Sequence, residues 1–141
     1  MGNAANGQTV DGVGAKSLEE INALTELVIG AAIEVHKTLG PGLLESAYSA
    51  CLVHELQLRG LSVQVNVALP IDYKGLKVDS AYRIDLVVEN TLVVELKASD
   101  GHHAIHEAQL LTYMRLAGKR IGLLINFNVR ILIEGVKRRV L

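Results

Sequence analysis

Two neighbouring segments of this 141-residue chain place charged side chains among strongly apolar ones. The first, residues 82–89, contains Asp85, and the second, residues 92–98, contains Glu95 and Lys97. Residues two apart in a strand share a face, so Glu95 and Lys97 project together while their neighbours project the other way. The pattern predicts a carboxylate and an amine side by side on one face of a strand.

The length of the turn between the segments decides whether Asp85 joins that pair. A three-residue loop at Glu89–Thr91 makes the sum of paired residue numbers even and sets Asp85 opposite Glu95. Two facing carboxylates would hold one divalent cation between them. Ligands that are all oxygen suit a hard ion, Mg²⁺ or Mn²⁺, and not zinc, which prefers histidine and cysteine.

Such a set of side chains is typical of phosphodiester hydrolysis. A cation held by two carboxylates lowers the pKa of a bound water and neutralises charge on a phosphate oxygen during in-line displacement. Lys97 would orient the attacking water or stabilise the developing negative charge. A glutamate and a lysine on one exposed strand face are as often a solvated surface pair, so the strand pattern alone leaves both interpretations open.

Three helices are predicted around these strands. Ser17 and Glu20 fit a capping box, and apolar residues then recur at helical spacing at Leu18, Ile21, Leu24, Val28, Ala32, Val35 and Leu39. This helix should end at the Gly-Pro-Gly of residues 40–42. A second helix is expected from about Leu43 to Arg59 and a third from about Ala104 to Ala117.

Apolar spacing also predicts which helical faces are buried. The second helix should turn inward Leu44, Ala47, Cys51, Leu52 and Leu56. The third should bury Ile105, Ala108, Leu111 and Leu116. Three polar residues of the third helix share another face at spacings of three and four and would look onto a cleft, namely His106, Gln109 and Tyr113. Simple exposure at the helix start explains His106 equally well.

Further strands follow from alternation and from short apolar runs. Leu61–Val67 alternates valine with polar residues, Pro70 should interrupt that strand, and a turn is predicted at Tyr73–Gly75. Residues 121–125 and residues 129–136 are predicted as two more strands.

Together these motifs resemble a known group of enzymes. Asp85, nine intervening residues and then Glu95-Leu96-Lys97 resemble the D…ExK core of the PD-(D/E)XK nuclease superfamily. The segment QLLTY at Gln109–Tyr113 resembles the QxxxY motif of one branch, and GLLESAY at Gly42–Tyr48 matches the signature of the GxxExxY protein family, a small-domain group of that superfamily. The residue before Asp85 is Ile84, where the superfamily name has proline.

The resemblance extends from about Ile21 to the C-terminus and implies both a fold and a site. The fold would be α/β and restriction-endonuclease-like, a mixed central β-sheet flanked by α-helices. Glu45 would complete the acidic cluster, so that Glu45, Asp85 and Glu95 bind Mg²⁺ or Mn²⁺. The catalytic residues would be Asp85, Glu95 and Lys97.

Four residues are expected to contact the substrate. The resemblance places Gln109 and Tyr113 near the metal site or DNA, and His106 belongs to the same helical strip. Arg83 lies two positions before Asp85, where it would contact a phosphate or tether a carboxylate.

The amino-acid composition limits the class of protein to which this chain can belong. The chain has 14 basic and 15 acidic residues, which argues against a dedicated electrostatic nucleic-acid binder but leaves a local basic groove possible. Half of its residues are hydrophobic and the mean hydropathy is +0.30, so we expect a homo-oligomer that covers apolar surface. The first 16 residues are predicted to form a flexible arm, and residues 17–141 a single domain.

The same composition predicts a cytoplasmic protein without a membrane partner. Cys51 is the single cysteine, so no intramolecular disulfide forms, and it is predicted to be buried. The first 16 residues contain no apolar stretch of the kind that a signal peptide needs, and no apolar run in the sequence reaches the length of a membrane span.

Two hypotheses remain. The first is a metal-dependent nuclease acting on DNA or RNA, which the carboxylate and lysine set favours. The second is a self-assembling structural or interaction module that retains the nuclease fold with little or no turnover, which the balanced charge and the apolar excess favour.

Overall fold

A computed structural model describes residues 16–141, apart from the side chains at positions 80 and 81. Its helices and strands are α1 (Leu18–Leu39), α2 (Glu45–Leu58), β1 (Val63–Tyr73), β2 (Leu76–Val88), β3 (Leu92–Lys97), α3 (Ala104–Ala117), β4 (Ile121–Asn126), a 3₁₀ turn (Leu132–Gly135) and β5 (Val136–Val140). The predicted flexible arm lies outside the described residues, except for Lys16.

The strands form one mixed sheet in the order β1-β2-β3-β4-β5. Strands β3 and β4 run parallel, and the other neighbouring strands are antiparallel. Helices α1 and α2 cover one face through a core that includes Val28, Leu52 and Leu86, and α3 covers the other through Leu110 and Met114. The predicted α/β architecture, a mixed central sheet flanked by helices, is therefore confirmed.

Helix α1 begins at the predicted capping box. The Ser17 amide donates to Glu20 Oε1 at 2.9 Å, and the Glu20 amide donates to Ser17 Oγ at 3.1 Å. Most of the predicted stripe is buried or partly buried, but Leu18 is 70% exposed. Leu18 is the first residue of the helix, and its neighbours in the first turn, Glu19 and Glu20, are exposed as well.

Helix α2 buries a narrower face than apolar spacing predicted. Tyr48, Leu52 and Leu56 recur every four residues and are fully buried. Cys51 is exposed and Leu44 is 77% exposed, so the prediction that both face the core is wrong. Cys51 is rotated by about 100° from Leu52 around the helix axis, and Leu44 precedes the helix as its N-cap residue.

Helix α3 has the predicted bounds but the opposite buried face. It buries Leu110, Tyr113 and Met114, whereas the residues predicted to be buried are exposed or half-buried, namely Ile105, Ala108, Leu111 and Leu116. The cause lies in β4, where Gly122 lacks a side chain. A Cβ atom at Gly122 would lie 2.6 Å from Met114 Sδ and 2.9 Å from Leu110 Cδ1, so the glycine admits these two side chains.

The prediction that Pro70 interrupts β1 is wrong. The strand continues to Tyr73, and its register with β2 shifts between Leu69 and Ile71. Proline is tolerated at a bulge because the strand is locally unpaired there. Its missing N–H therefore removes no hydrogen bond of the ladder. The turn at Lys74 and Gly75 is confirmed.

The prediction of a strand at residues 129–136 is also wrong, because β5 begins only at Val136. The Val129 carbonyl accepts a hydrogen bond from His36 Nε2 at 2.8 Å, and a 3₁₀ turn follows before β5. Gly135 allows this turn to pass close to β4, since a Cβ atom there would lie 2.2 Å from Asn126 O. Within residues 16–141, no helix is both long and apolar enough to cross a membrane.

Candidate active site

The β2–β3 hairpin has the register that the sequence predicted. Leu86 pairs with Val94 and Val88 with Leu92, leaving the three-residue loop 89–91. Regular pairing ends at Leu86 and Val94. The next position outward on each strand carries a carboxylate, so Asp85 and Glu95 lie opposite each other where the two strands separate.

The two carboxylates take over the hydrogen bonding of the interrupted ladder. The Asp85 amide donates to Glu95 Oε2 at 2.8 Å, and the Leu96 amide donates to Asp85 Oδ2 at 2.8 Å. Among the residues that the structure describes, none donates a hydrogen bond to Asp85 Oδ1 or Glu95 Oε1. Each carboxylate thus has one oxygen that holds the strands and one that is available to a ligand.

Both carboxyl groups resist ionisation. Burial, and then the charge of Asp85, raises the pKa of Glu95 to about 8, and Glu95 is only 3% exposed. Burial also raises the pKa of Asp85, against the hydrogen bond from Leu96 and the positive charge of Lys97. Glu45 adds to the rise in both pKa values. The pair therefore favours a proton or a cation between its oxygens.

A change of face in β1 and β2 presents Asp85 to solvent. Ile84 and Leu86 would share a face in a regular strand, yet Ile84 packs in the α3 core and Leu86 in the α1–α2 core. Opposite this point, Asn66 has a φ of +51°, a left-handed conformation that asparagine tolerates better than most residues. Simple alternation along β2 does not predict this reversal, and Asn66 is the residue in the sequence that indicates it.

The GxxExxY segment positions Glu45 at the first residue of α2. Gly42 has a φ of +98°, which favours glycine. The Tyr48 hydroxyl donates to Gly40 O at 2.6 Å and accepts from the Leu43 amide at 3.1 Å, which closes the loop before the helix. The Tyr48 ring stacks on Phe127, with centroids 4.4 Å apart. The buried Tyr48 thus fixes the loop that places the exposed Glu45 at the start of α2.

Glu45 shares a groove of about 700 Å³ with Asp85, which we call the α2 groove; its other lining residues are Ser46, Ser49, Ala50, Val53, Val65, Asn66 and Leu96. Within residues 16–141, no three His, Cys, Asp or Glu side chains lie close enough together to hold a metal ion. The closely placed donors are the Asp85 and Glu95 pair, and Glu45 lies in the same groove without forming a preassembled triad.

Helix α3, on the face of the sheet opposite α2, contacts Lys97. Its Nζ donates to Gln109 Oε1 at 3.2 Å, and Gln109 Nε2 donates to the Tyr113 hydroxyl at 3.0 Å. The QxxxY residues therefore contact the ExK lysine through one chain of hydrogen bonds. Burial raises the pKa of Tyr113, so its hydroxyl stays neutral and can accept from Gln109.

A cleft of about 580 Å³ opens beside this chain, which we call the α3 cleft; its lining residues are Ile71, Tyr82, Lys97, Ile105, His106, Ala108, Gln109, Thr112, Tyr113 and Leu116. The predicted polar strip of α3 does look onto a cleft. His106 is half-buried there, and burial followed by the charge of Lys97 lowers its pKa. Three of the apolar residues that were predicted to be in the core instead line this cleft.

Arg83 lies at the rim of the α2 groove. Its Nη1 donates to the Asn66 carbonyl at 2.9 Å, and the side chain is exposed. The side-chain hydrogen bond that the structure gives Arg83 thus goes to a main-chain carbonyl and not to a carboxylate. A phosphate contact remains a prediction.

Asn126 lies next to the candidate site, although no motif in the sequence singled it out. It pairs with Lys97 in the parallel β3–β4 ladder, and its side chain donates to Ser99 O at 2.9 Å and accepts from the Ser99 amide at 3.2 Å. It thereby fixes the chain that leaves the lysine. A polar residue at the carboxyl end of a buried parallel strand was the available signal, since such ends often face a site.

The chain matches the PD-(D/E)XK nuclease superfamily over residues 22–139, which includes all five strands but the last residue of β5. Searches of curated proteins and of solved structures found no match. The narrower GxxExxY assignment stays a prediction. By its sequence and by its restriction-endonuclease-like sheet, the chain belongs to the PD-(D/E)XK nuclease superfamily.

Proposed function

We propose that the protein is a metal-dependent nuclease that hydrolyses phosphodiester bonds of nucleic acid. The observation that carries this proposal is the pair of Asp85 and Glu95, which face each other where two strands separate, each with one oxygen free. Membership of the superfamily supports a nuclease-type function and a nucleic acid substrate.

The donor set fits a hard divalent cation. Asp85 and Glu95 offer oxygen only. Burial is the main cause of the raised pKa of both groups and neighbouring carboxylates add to it, so a bound cation would favour the ionised form of each. Glu45 lies in the groove beside them and would add a third carboxylate. When bound, Mg²⁺ or Mn²⁺ would activate water and neutralise charge on the phosphate.

The other side chains of the site would position the substrate and stabilise negative charge on its phosphate. Lys97 presents its ammonium group next to both carboxyl groups, where it favours the charged form of each and would stabilise negative charge that develops on the phosphate. Gln109 and Tyr113 hold the ammonium group in place. Arg83 and His106 lie at the edges of the groove and the cleft, where they would contact the substrate.

A second candidate function is self-assembly without efficient turnover. Several large apolar side chains are exposed on the described surface, including Leu18, Leu44, Leu58, Ile105 and Ile133. This observation favours an interaction role, which is compatible with a nuclease site in the same chain.

Lys97→Met tests the catalytic proposal. If the ammonium group acts on charge that appears only in the transition state, ion binding should persist while cleavage slows by about two orders of magnitude or more. The measurement is single-turnover cleavage of labelled single- and double-stranded DNA and RNA with Mn²⁺.

The matched control is Lys37→Met, which removes an exposed lysine of α1 and should cleave at the wild-type rate. Equal rates for Lys97→Met and the wild type would reject the catalytic role of the lysine. If the wild type cleaves none of the substrates, the assembly function becomes the preferred one.

A further inference from the structure

The α3 cleft and the α2 groove differ in the side chains that they offer a substrate. Among the residues that the structure describes, the α2 groove carries two carboxylates, Glu45 and Asp85, and no aromatic ring. The described lining of the α3 cleft carries two tyrosines and Lys97, and no carboxylate. The candidate catalytic centre thus lies between a groove with carboxylates on one face of the sheet and a cleft with aromatic rings on the other.

One aromatic ring offers a free face in this cleft. Tyr82 of β2 is 47% exposed, whereas Tyr113 of α3 is 7% exposed. Their centroids are 6.1 Å apart and their planes are tilted by 57°, so the buried Tyr113 ring packs against Tyr82 while much of Tyr82 remains exposed. Ile105 lines the same cleft and is 70% exposed, which adds an apolar contact surface.

A cleft with an exposed aromatic ring next to the proposed phosphate-cleaving centre selects for a particular form of nucleic acid. In a duplex the flat faces of the bases are stacked inside the helix, whereas an unpaired nucleotide exposes its base. Stacking of such a base on an aromatic side chain contributes about 1–3 kcal/mol. A volume of about 580 Å³ lies within the range of small-molecule sites, so the cleft has room for one base and its sugar.

We propose that the α3 cleft binds an unpaired nucleobase next to the scissile phosphate, and that the substrate is single-stranded or locally unpaired. This inference rests on the proposed nuclease function. The base stacks on Tyr82 and contacts Ile105, while its phosphate reaches Lys97 and the carboxylate pair.

The exposed ring of Tyr82 makes this binding tolerant of sequence. Stacking uses the flat face that all bases share. The Gln109 amide, which could otherwise read a base edge, is engaged by Lys97 and Tyr113.

The net charge of the chain agrees with this mode of binding. At −1, it provides little long-range attraction for the dense phosphates of a duplex. Stacking depends weakly on salt, so affinity for a single strand should fall less steeply with ionic strength than that of a strongly basic nuclease.

The experiment measures binding of labelled 12-nucleotide single strands and of the matching duplex to the full chain. Ca²⁺ replaces Mg²⁺, because it is a weaker Lewis acid and limits cleavage. The wild type should bind the single strand at least about tenfold more tightly than the duplex, and Tyr82→Ala should lose about tenfold in single-strand affinity. Tyr82→Phe should retain it, since the ring is kept.

Two further variants supply a control and a second test of the cleft. Tyr73→Ala is the control: it removes an exposed tyrosine at the tip of the β1–β2 hairpin, outside the cleft, and should bind normally. Ile105→Asp changes the exposed apolar contact surface of the cleft and should weaken binding. A single 2-aminopurine in the strand should lose fluorescence on binding to the wild type and to Tyr82→Phe, but not to Tyr82→Ala.

The outcomes separate this inference from the proposed function. Equal binding and cleavage of duplex and single strand, with Tyr82→Ala unchanged, would overturn the inference and leave the nuclease intact. A wild type that binds and cleaves no nucleic acid with any divalent ion would reject the nuclease function itself, and with it the inference.

Discussion

Asp85 and Glu95 combine a structural role with their proposed role as metal ligands. One oxygen of each accepts a main-chain hydrogen bond from the opposite strand, which satisfies the amides of Asp85 and Leu96 where regular pairing ends. The amide variants Asp85→Asn and Glu95→Gln keep an oxygen for that bond and lose the negative charge. They therefore separate the structural role of each residue from its role as a ligand.

Metal binding is the first property that these variants test. Binding to the folded state alone stabilises it, so Mg²⁺ or Mn²⁺ at roughly ten times its Kd should raise the wild-type melting temperature by about 5 °C. The rise should be much smaller for Asp85→Asn and Glu95→Gln, because each lacks one anionic ligand. Differential scanning fluorimetry measures it.

Glu26→Gln is the matched control, since Glu26 is an exposed carboxylate on α1. It should show the full wild-type shift. Equal shifts in the wild type and both site variants would remove the metal assignment from Asp85 and Glu95.

The raised pKa of Glu95 predicts how the stability of the metal-free protein depends on pH. Between about 4.5 and 8, the folded protein keeps a proton on Glu95 that the unfolded chain has already released. The folded state binds more protons in this window, so the free energy of unfolding falls as pH rises, by on the order of 3 kcal/mol. Asp85, whose pKa is also raised, changes stability in the same direction.

Urea denaturation in EDTA at pH 5, 6, 7 and 8 measures this dependence. Glu95→Gln lacks the titrating group and should lose much less stability across the series. A wild-type free energy of unfolding that stays constant or rises from pH 5 to pH 8 would contradict the raised pKa.

At the scale of elements, the change of face at Asn66 brings the site to the surface. The reversal sends Ile84 into one core and Leu86 into the other, with Asp85 between them at the mouth of the α2 groove. Because hydrophobic residues on both sides of Asp85 are buried, the surrounding cores maintain the irregularity. The left-handed conformation of Asn66 is the local condition for it.

Asn66→Val should therefore destabilise the protein by about 1–2 kcal/mol, because a β-branched residue resists a φ of +51°. It should also slow cleavage by displacing Asp85. Asn66→Gly should retain both stability and rate, since glycine adopts positive φ readily.

Gln64→Val is the control on the same strand, at an exposed residue with ordinary backbone, and should change stability by less than about 0.5 kcal/mol. Chemical denaturation and single-turnover cleavage supply the two measurements. Wild-type stability in Asn66→Val would show that the reversal does not need a left-handed residue at this position.

At the scale of the whole molecule, apolar surface remains uncovered in a single copy of the chain. Exposed leucine and isoleucine side chains occur on α1, in the loop before α2, at the end of α2 and beside the 3₁₀ turn; examples are Leu27, Leu43, Leu58 and Ile131. Half of the residues in the sequence are hydrophobic. Symmetric self-association is the commonest way for a small protein to bury such surface.

We therefore expect a homo-oligomer, with a mass in solution of about 30 kDa or more against 15.2 kDa for one chain. Multi-angle light scattering at micromolar concentration measures it. A single species near the mass of one chain would contradict the prediction.

The sequence by itself determined the features that depend on residues close together in the chain. The capping box at Ser17, the bounds of α3 and the three-residue loop of the β2–β3 hairpin are local, and each was predicted correctly. The hairpin register also set Asp85 opposite Glu95. Turn length and side-chain alternation decide these features before any tertiary contact forms.

Only the tertiary structure decided which faces meet. Two apolar faces of α3 compete for the sheet, and the missing side chain of Gly122 selects Leu110 and Met114, which leaves Ile105 to line a cleft. The chain of contacts from Lys97 through Gln109 also depends on that choice. Packing between segments far apart in sequence has no signal in either segment alone, because the free energy of each face depends on the surface that it meets.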